Sequence, residues 1–348
     1  ELDPVELRLR RGTFETARLE GFFGAIRDAM PDYWGRRVIE RAAGRPELDE
    51  FDYLMQGPDD RSGALAFGLD VEPDLAEGRH HQALDLERLQ RAADAIVGDD
   101  LARGESSSGA TAEELLLVGT SMGGARPKAV VEHQGDLWLA KLTKPTDRWS
   151  HPRVEHGMLE LARGCGLDVA DSRLSTVGGR DALLVRRFDR ERAEDGGGYL
   201  RHRMVSALTL LRGDEHATSR RSWSYLLLAD DIRRVSAQPE NDLRELFARM
   251  CWNAVVSNLD DHPRNHAILA AGRSWRLSPS YDLTPSPAIS REARDLAMVC
   301  GRKGRLANGE NLLSQHGRFL LSEDEATAAL DGIVASVEDM RDAGPRSG

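Results

Sequence analysis

The residues of this chain whose types and spacing could do chemistry lie in one short stretch, Asn258-Leu259-Asp260-Asp261-His262-Pro263-Arg264-Asn265. A further carboxylate, Asp282, follows inside Ser278-Pro279-Ser280-Tyr281-Asp282-Leu283. Phosphoryl transfer needs one carboxylate to orient a hydroxyl and accept its proton, with an amide oxygen and a second carboxylate to hold Mg²⁺. Asp260, Asn265 and Asp282 supply that set. Loops also favour Asp and Asn for an ordinary reason, because their side chains bond nearby backbone. The apolar runs 252–256 and 267–269, however, put these groups at the edge of a core. Unpaired charge is costly there, and a metal with a nucleotide would relieve the cost.

The interval from Asp260 to Asn265 equals that in the kinase catalytic loop H-R-D-x-x-x-x-N, and Asp282 falls where a metal-binding Asp of the D-F-G kind would stand. Several elements must position such groups. The stretch Asp136-Leu137-Trp138-Leu139-Ala140-Lys141-Leu142 alternates as a strand and puts Lys141 on the face of Leu137 and Leu139. A lysine there wants an anion, or else blunts an edge strand. Fourteen residues on, Glu155 is expected to open a helix with Val154, Met158, Leu161 and Cys165 at helical spacing. It could pair with Lys141 or simply favour a helix N-terminus. Between an apolar run at 115–118 and another at 129–131 lies Gly119-Thr120-Ser121-Met122-Gly123-Gly124-Ala125-Arg126-Pro127-Lys128. Glycines allow backbone N–H groups to approach phosphate oxygens, although a Gly-Gly pair also serves as a plain turn. No Walker A sequence is present.

Further helices are expected over 11–45, where Phe14, Phe22, Phe23, Ile26 and Met30 share a face and Pro31-Asp32 starts a second helix with Trp34, Val38 and Ile39. Others are expected over 85–97, 203–212, 222–235, 241–257 and 322–341, with a short strand at 63–67. The strand 182–190 runs from apolar residues into charge, as a hinge between lobes would. A length of 348 residues, 40% of them hydrophobic and 30% charged, suits one large or two medium domains. The net charge of -11 argues against binding nucleic acid unaided. Cys165, Cys251 and Cys300 are far apart and lack C-x-x-C spacing, so no disulfide framework or zinc site is expected and a reducing cytoplasm fits. No membrane-length apolar run and no charged-then-apolar leader occurs, and the chain opens on Glu1 rather than Met, leaving room for residues upstream.

Taken together, residues 123–128, the strand with Lys141, Arg187-Phe188-Asp189, 258–265 and 277–285 resemble the HipA family of bacterial serine/threonine kinases, the toxin halves of HipA/HipB toxin–antitoxin pairs. The resemblance runs over about 10–320. It implies an α+β, bilobed protein-kinase-like fold, with a smaller α/β N-terminal lobe over 1–185 and a mostly helical C-terminal lobe over 186–348. It also implies that ATP and Mg²⁺ are used, with Asp260 as catalytic base and Asn265 and Asp282 as metal ligands. Lys141 would contact the ATP phosphates. Gly123, Gly124, Ala125, Arg126 and Lys128 would belong to the loop over them, and Arg186, Arg187 and Phe188 would border the adenine. His262 and Tyr281 would line the nucleotide site, and Ser121 would be autophosphorylated. The implied partners are a HipB-like helix-turn-helix antitoxin, through which alone DNA is reached, and a protein substrate such as an aminoacyl-tRNA synthetase. Arg186 stands where an acidic hinge residue is known in the family, so only its backbone is implied to contact adenine. Other readings of the same residues are a small-molecule kinase of this fold and an idle co-repressor module.

Overall fold

Residues 128–133 and 136–142 form strands around the short apolar runs 129–131 and 137–140, buried on both faces, and Gln134-Gly135 reverses the chain between them. Both turn residues have positive φ, 54° and 83°, the conformation a tight hairpin demands and glycine tolerates best. The computed structural model describes residues 1–58, 60–69, 81–82, 86–102, 126–194, 198–216, 218–286 and 294–343. Its strands are β1 (His81–Gln82), β2 (Lys128–His133), β3 (Asp136–Leu142), β4 (Ser172–Val177), β5 (Arg180–Arg186), β6 (Arg190–Arg192), β7 (Tyr199–Arg201), β8 (Arg203–Ser206), β9 (Ala267–Ala271) and β10 (Ser274–Leu277). Two compact units divide the chain: 26–156 with 171–204, and 1–25 with 157–170 and 205–348.

The first unit is built on a five-stranded sheet in the order β1-β2-β3-β5-β4. One face, with Ala129, Val131, Trp138, Ala140, Leu142, Ala182 and Leu184, is covered by Trp34 and Val38 of the helix Tyr33–Ala43 and by Leu89, Ala93 and Ile96 of the helix Leu86–Ala102. Each Val, Leu or Ile side chain so removed from water contributes about 1.5–3 kcal/mol, so this layer fixes the sheet. The other face carries Val130, Leu137 and Leu139, and with them Lys128 and Lys141. The segment that leaves β5 is locked by charge. Asp189 receives Arg187 Nε at 3.0 Å, Arg190 Nη1 at 2.8 Å and the Gly63 N–H at 2.8 Å, while Arg187 also reaches Asp60 and the Arg61 carbonyl. Residues 186–204 and 1–25 therefore each group across a cut at 185/186: the first is held by this network and the β6–β7 hairpin, the second by bonds such as Trp275 Nε1 to Glu1 at 2.9 Å.

The second unit is mostly helical. The helices Tyr225–Val235, Pro239–Val256 and Glu323–Ala343 bury Ile232, Leu243, Leu246, Phe247, Met250, Trp252 and Ile333. Pro239 at the first helical position and Glu240 and Asp242 in the first turn start the 239–256 helix. The chain is thus α+β, with its five-stranded sheet in one unit and the helices Tyr225–Val235, Pro239–Val256 and Glu323–Ala343 in the other.

Several elements differ from expectation. Residues 11–45 hold only the helices Gly24–Asp28 and Tyr33–Ala43 and one 3-10 turn, Leu19–Gly21. The expected helix over 203–212 is instead β8 followed by the single turn Ala207–Leu210, because Ser206 caps that turn by accepting the Thr209 N–H at 3.2 Å and ends the strand there. No strand forms over 63–67. Among the described residues no helix is long and apolar enough to cross a membrane, and the three cysteines are free.

Candidate functional site

The helix Pro239–Val256 delivers the chain to the first half of the site. It stops on Ser257, held at φ 60°, while the Asn258 N–H returns to the Asn253 carbonyl at 2.9 Å. This left-handed stop uses up the terminal carbonyls and turns the following residues sharply off the helix axis. Asp260 emerges exposed, and its carboxylate has no hydrogen-bond partner among the described residues. Pro263–Asn265 then form one 3-10 turn with the Asn265 N–H on the His262 carbonyl at 2.8 Å. Asn265 is only 7% exposed, yet its amide side chain has no partner among the described residues. Its amide oxygen is of the type an oxygen-seeking cation binds.

Asp282 is brought back by β9 and β10, a hairpin with Ile268 opposite Leu277 and the Ser278 N–H on the Ala267 carbonyl at 2.9 Å. Buried side chains of the 239–256 helix hold the returning strand: Asp242 accepts the Leu277 N–H at 2.9 Å and Arg249 donates to the Ser278 carbonyl at 2.7 Å. Beyond it the chain is stitched to the first stretch at two places. The Tyr281 hydroxyl donates to the Arg264 carbonyl at 2.7 Å, next to Asn265, and the Ser286 N–H donates to the Ser257 carbonyl at 2.9 Å. Asp282 sits between those stitches at φ 58°, a left-handed backbone that a non-glycine residue holds only when its surroundings impose it.

This donor set fits Mg²⁺, which takes few protein oxygens and leaves its remaining positions to water and phosphate. Among the described residues no cluster of three or more His, Cys, Asp or Glu side chains is placed to hold a metal ion.

The other expected groups lie in the sheet-bearing unit. Lys141 Nζ donates to Glu155 Oε1 at 2.6 Å. Glu155 is the fifth residue of the helix His151–Gly164 rather than its opening one, and the buried face of that helix is Pro152, Glu155, Leu159 and Ala162, with Val154, Met158, Leu161 and Cys165 only half-buried. Lys128 stands directly opposite Lys141 in the β2–β3 register and shares its face. Two ammonium groups so placed repel. Each has its own carboxylate, and the Lys128 partner is Asp32, which also caps the helix Tyr33–Ala43 by accepting the Gly35 N–H at 2.7 Å. Arg126 pairs with Asp147. Arg186 is exposed and ion-paired with Asp136 at 2.9 Å, Arg187 is wholly buried in the Asp189 network, and Phe188 is half-buried. The N–H groups of Arg186 and Arg187 are taken by the Asp171 and Leu137 carbonyls. Ser121, Gly123, Gly124 and Ala125 lie outside the described residues.

His262 is placed by its ring, edge-on to Trp223 with 6.2 Å between centroids, and Tyr281 by its bond to Arg264. Sequence reasoning passed over Asp261, Tyr225 and His266, a buried cluster behind the Asp260 loop. The signal available was the Asp260-Asp261 doublet, two adjacent carboxylates of which one is exposed and the other fully buried.

Residues 120–341 match the HipA-like C-terminal domain family. The Sinorhizobium fredii protein Y4mE, named as an inferred kinase, is 28% identical over 319 residues, which cover 87% of this chain and 73% of that one. HipA of the Shewanella oneidensis MR-1 toxin–antitoxin system, solved with HipB and its operator DNA, superposes with a TM-score of 0.69 at 17% identity, over 93% of this chain and 79% of that one.

Proposed function

This chain belongs to the family of HipA-like C-terminal domains, and on that footing we propose that it is an ATP- and Mg²⁺-dependent serine/threonine protein kinase, the toxin of a toxin–antitoxin pair. The observation that supports the reading is the stitching of the Asp282 segment to the Asn258–Asn265 stretch through Tyr281 and Ser286, at the root of the β9–β10 hairpin, with Asp260 exposed in that stretch.

In this reading Asp260 accepts the proton of the substrate hydroxyl, a role that contributes about 10²–10⁴ in rate. Asn265 and Asp282 hold Mg²⁺ through their side-chain oxygens. Bound Mg²⁺ supplies neutralisation of the charge spread over the phosphates during transfer. Lys141, aimed by Glu155, meets phosphate oxygens, and the Gly-rich segment ahead of β2 covers them, without Lys128, which is buried in β2 and paired with Asp32. With their N–H groups used inside the sheet, Arg186 and Arg187 leave the Phe188 ring to border the adenine. His262 and Tyr281 line the nucleotide site. Ser121 is the autophosphorylation site, and the substrate is a translation component such as an aminoacyl-tRNA synthetase. A HipB-like antitoxin is the partner that reaches DNA, consistent with the net charge of -11 on this chain.

The test is incubation of the purified protein, beside Asp260→Asn, with labelled ATP and Mg²⁺ in the presence of a bacterial lysate, followed by mass spectrometry. Wild type is expected to label a lysate protein and Ser121, and Asp260→Asn to lose at least about 10² in rate. Nucleotide binding without transfer to protein or small molecule would sink the kinase reading.

A further inference from the structure

The loop that carries Asp260 is tied to two helices by a run of buried side chains. The Asn258 amide donates to Asn253 Oδ1 at 3.0 Å, and the Asn253 amide donates to the Tyr225 hydroxyl at 3.3 Å. That hydroxyl donates to Asp261 Oδ2, and the same oxygen meets His266 Nε2 at 2.7 Å. Asn253, Tyr225 and Asp261 are 0% exposed, and Asn258 and His266 are 2% exposed. The run touches the loop at its start, middle and end. Its anchors lie on Tyr225–Val235 and Pro239–Val256.

A buried carboxylate is tolerated only while donors hold it, because an unpaired one costs several kcal/mol. Asp261 therefore cannot swing outward or exchange partners cheaply. Tyr225 stays a donor, since burial first and the Asp261 charge second push its phenol well above the ordinary value. With Asp261 fixed, the direction of the next residue back along the chain is fixed as well. That residue is Asp260.

We propose that Asp261, Tyr225 and His266 are positioning residues for the transfer reaction: they act through Asp260 and Asn265, whose loop they hold in its working shape before any substrate arrives. The catalytic consequence rests on the kinase reading above. The ordering of the loop does not.

Tyr225→Phe removes one hydroxyl and keeps the ring packed edge-on to His266, 5.6 Å between centroids. It is the primary variant, with Asp261→Asn beside it in case the loss of charge prevents folding. Three quantities are read on each full-length protein: kcat and KM for ATP, hydrogen exchange of amides 258–266, and the melting temperature. In Tyr225→Phe the expected result is faster exchange confined to 258–266, a kcat lower by about tenfold to a hundredfold and a KM for ATP within about twofold. Loop exchange unchanged from wild type would overturn the proposal. So would exchange that rises equally throughout the helical unit, because a merely structural role gives that pattern. If wild type itself transfers no phosphate, the kinase reading falls and exchange alone decides: release of the loop in Tyr225→Phe upholds positioning, and no release overturns it.

Discussion

Two lysines on one sheet face, each ion-paired with a carboxylate, illustrate how much a single residue can commit. Asp32 both caps a helix and neutralises Lys128, which is 3% exposed. Asn is as good a cap as Asp, so Asp32→Asn isolates the ion pair. Removing one partner of a buried pair costs about 3–5 kcal/mol, and that loss is expected in urea unfolding. Glu155→Gln removes the carboxylate that lies 2.6 Å from Lys141 Nζ and, in the kinase reading, is expected to raise KM for ATP about tenfold while stability changes less, since this pair is more exposed than the Asp32 one. Steady-state kinetics would expose the error if KM stayed put. The Lys141–Glu155 pair was legible in the sequence because strand alternation and a following helix both survive single-residue reading. The Lys128–Asp32 pair was not, since nothing local links positions 32 and 128. The Asn258-to-His266 run was hidden for the same reason: its donors sit on separate helices.

At the scale of elements, the hairpin β9–β10 and the two stitches at its root matter most. Tyr281→Phe removes one bond, to the Arg264 carbonyl. The expected loss of stability is about 1 kcal/mol, but Mg²⁺-dependent nucleotide binding is expected to weaken about tenfold, as groups that orient metal ligands commonly do. Titrating Mg²⁺ at fixed ATP would separate the two effects, and equal Mg²⁺ dependence in both proteins would remove Tyr281 from that role. The helix Pro239–Val256 and the strand Asp136–Leu142 could be read from periodicity because their burial is one-sided or complete. The helix His151–Gly164 was found with its face misphased: the buried side includes Glu155, a charge that periodicity counts as solvent-facing until its partner is known. The 203–212 segment misled for the opposite reason, since its apolar residues fit a helix while the cap at Ser206 splits it into strand and turn.

For the molecule as a whole, acid sensitivity follows from Asp189. Burial raises its carboxyl, but the Arg187 and Arg190 charges together outweigh that and hold it well below the usual carboxylate range. A folded-state value below the ordinary 3.8 means that the carboxylate contributes its stability above about that pH and loses it as the pH falls further. The melting temperature is therefore expected to drop steeply below about pH 4. Asp189→Asn should melt lower at neutral pH and show a flatter acid limb; parallel limbs would mean other carboxylates dominate. The division into units has a consequence for synthesis. Residues 26–156 and 171–204 complete the sheet-bearing unit before most of the helical one exists, whereas residues 1–25 belong with partners such as Trp275 that are made far later. On the ribosome residues 26–156 with 171–204 can settle first, while residues 1–25, though made before them, must wait unclaimed for partners such as Trp275.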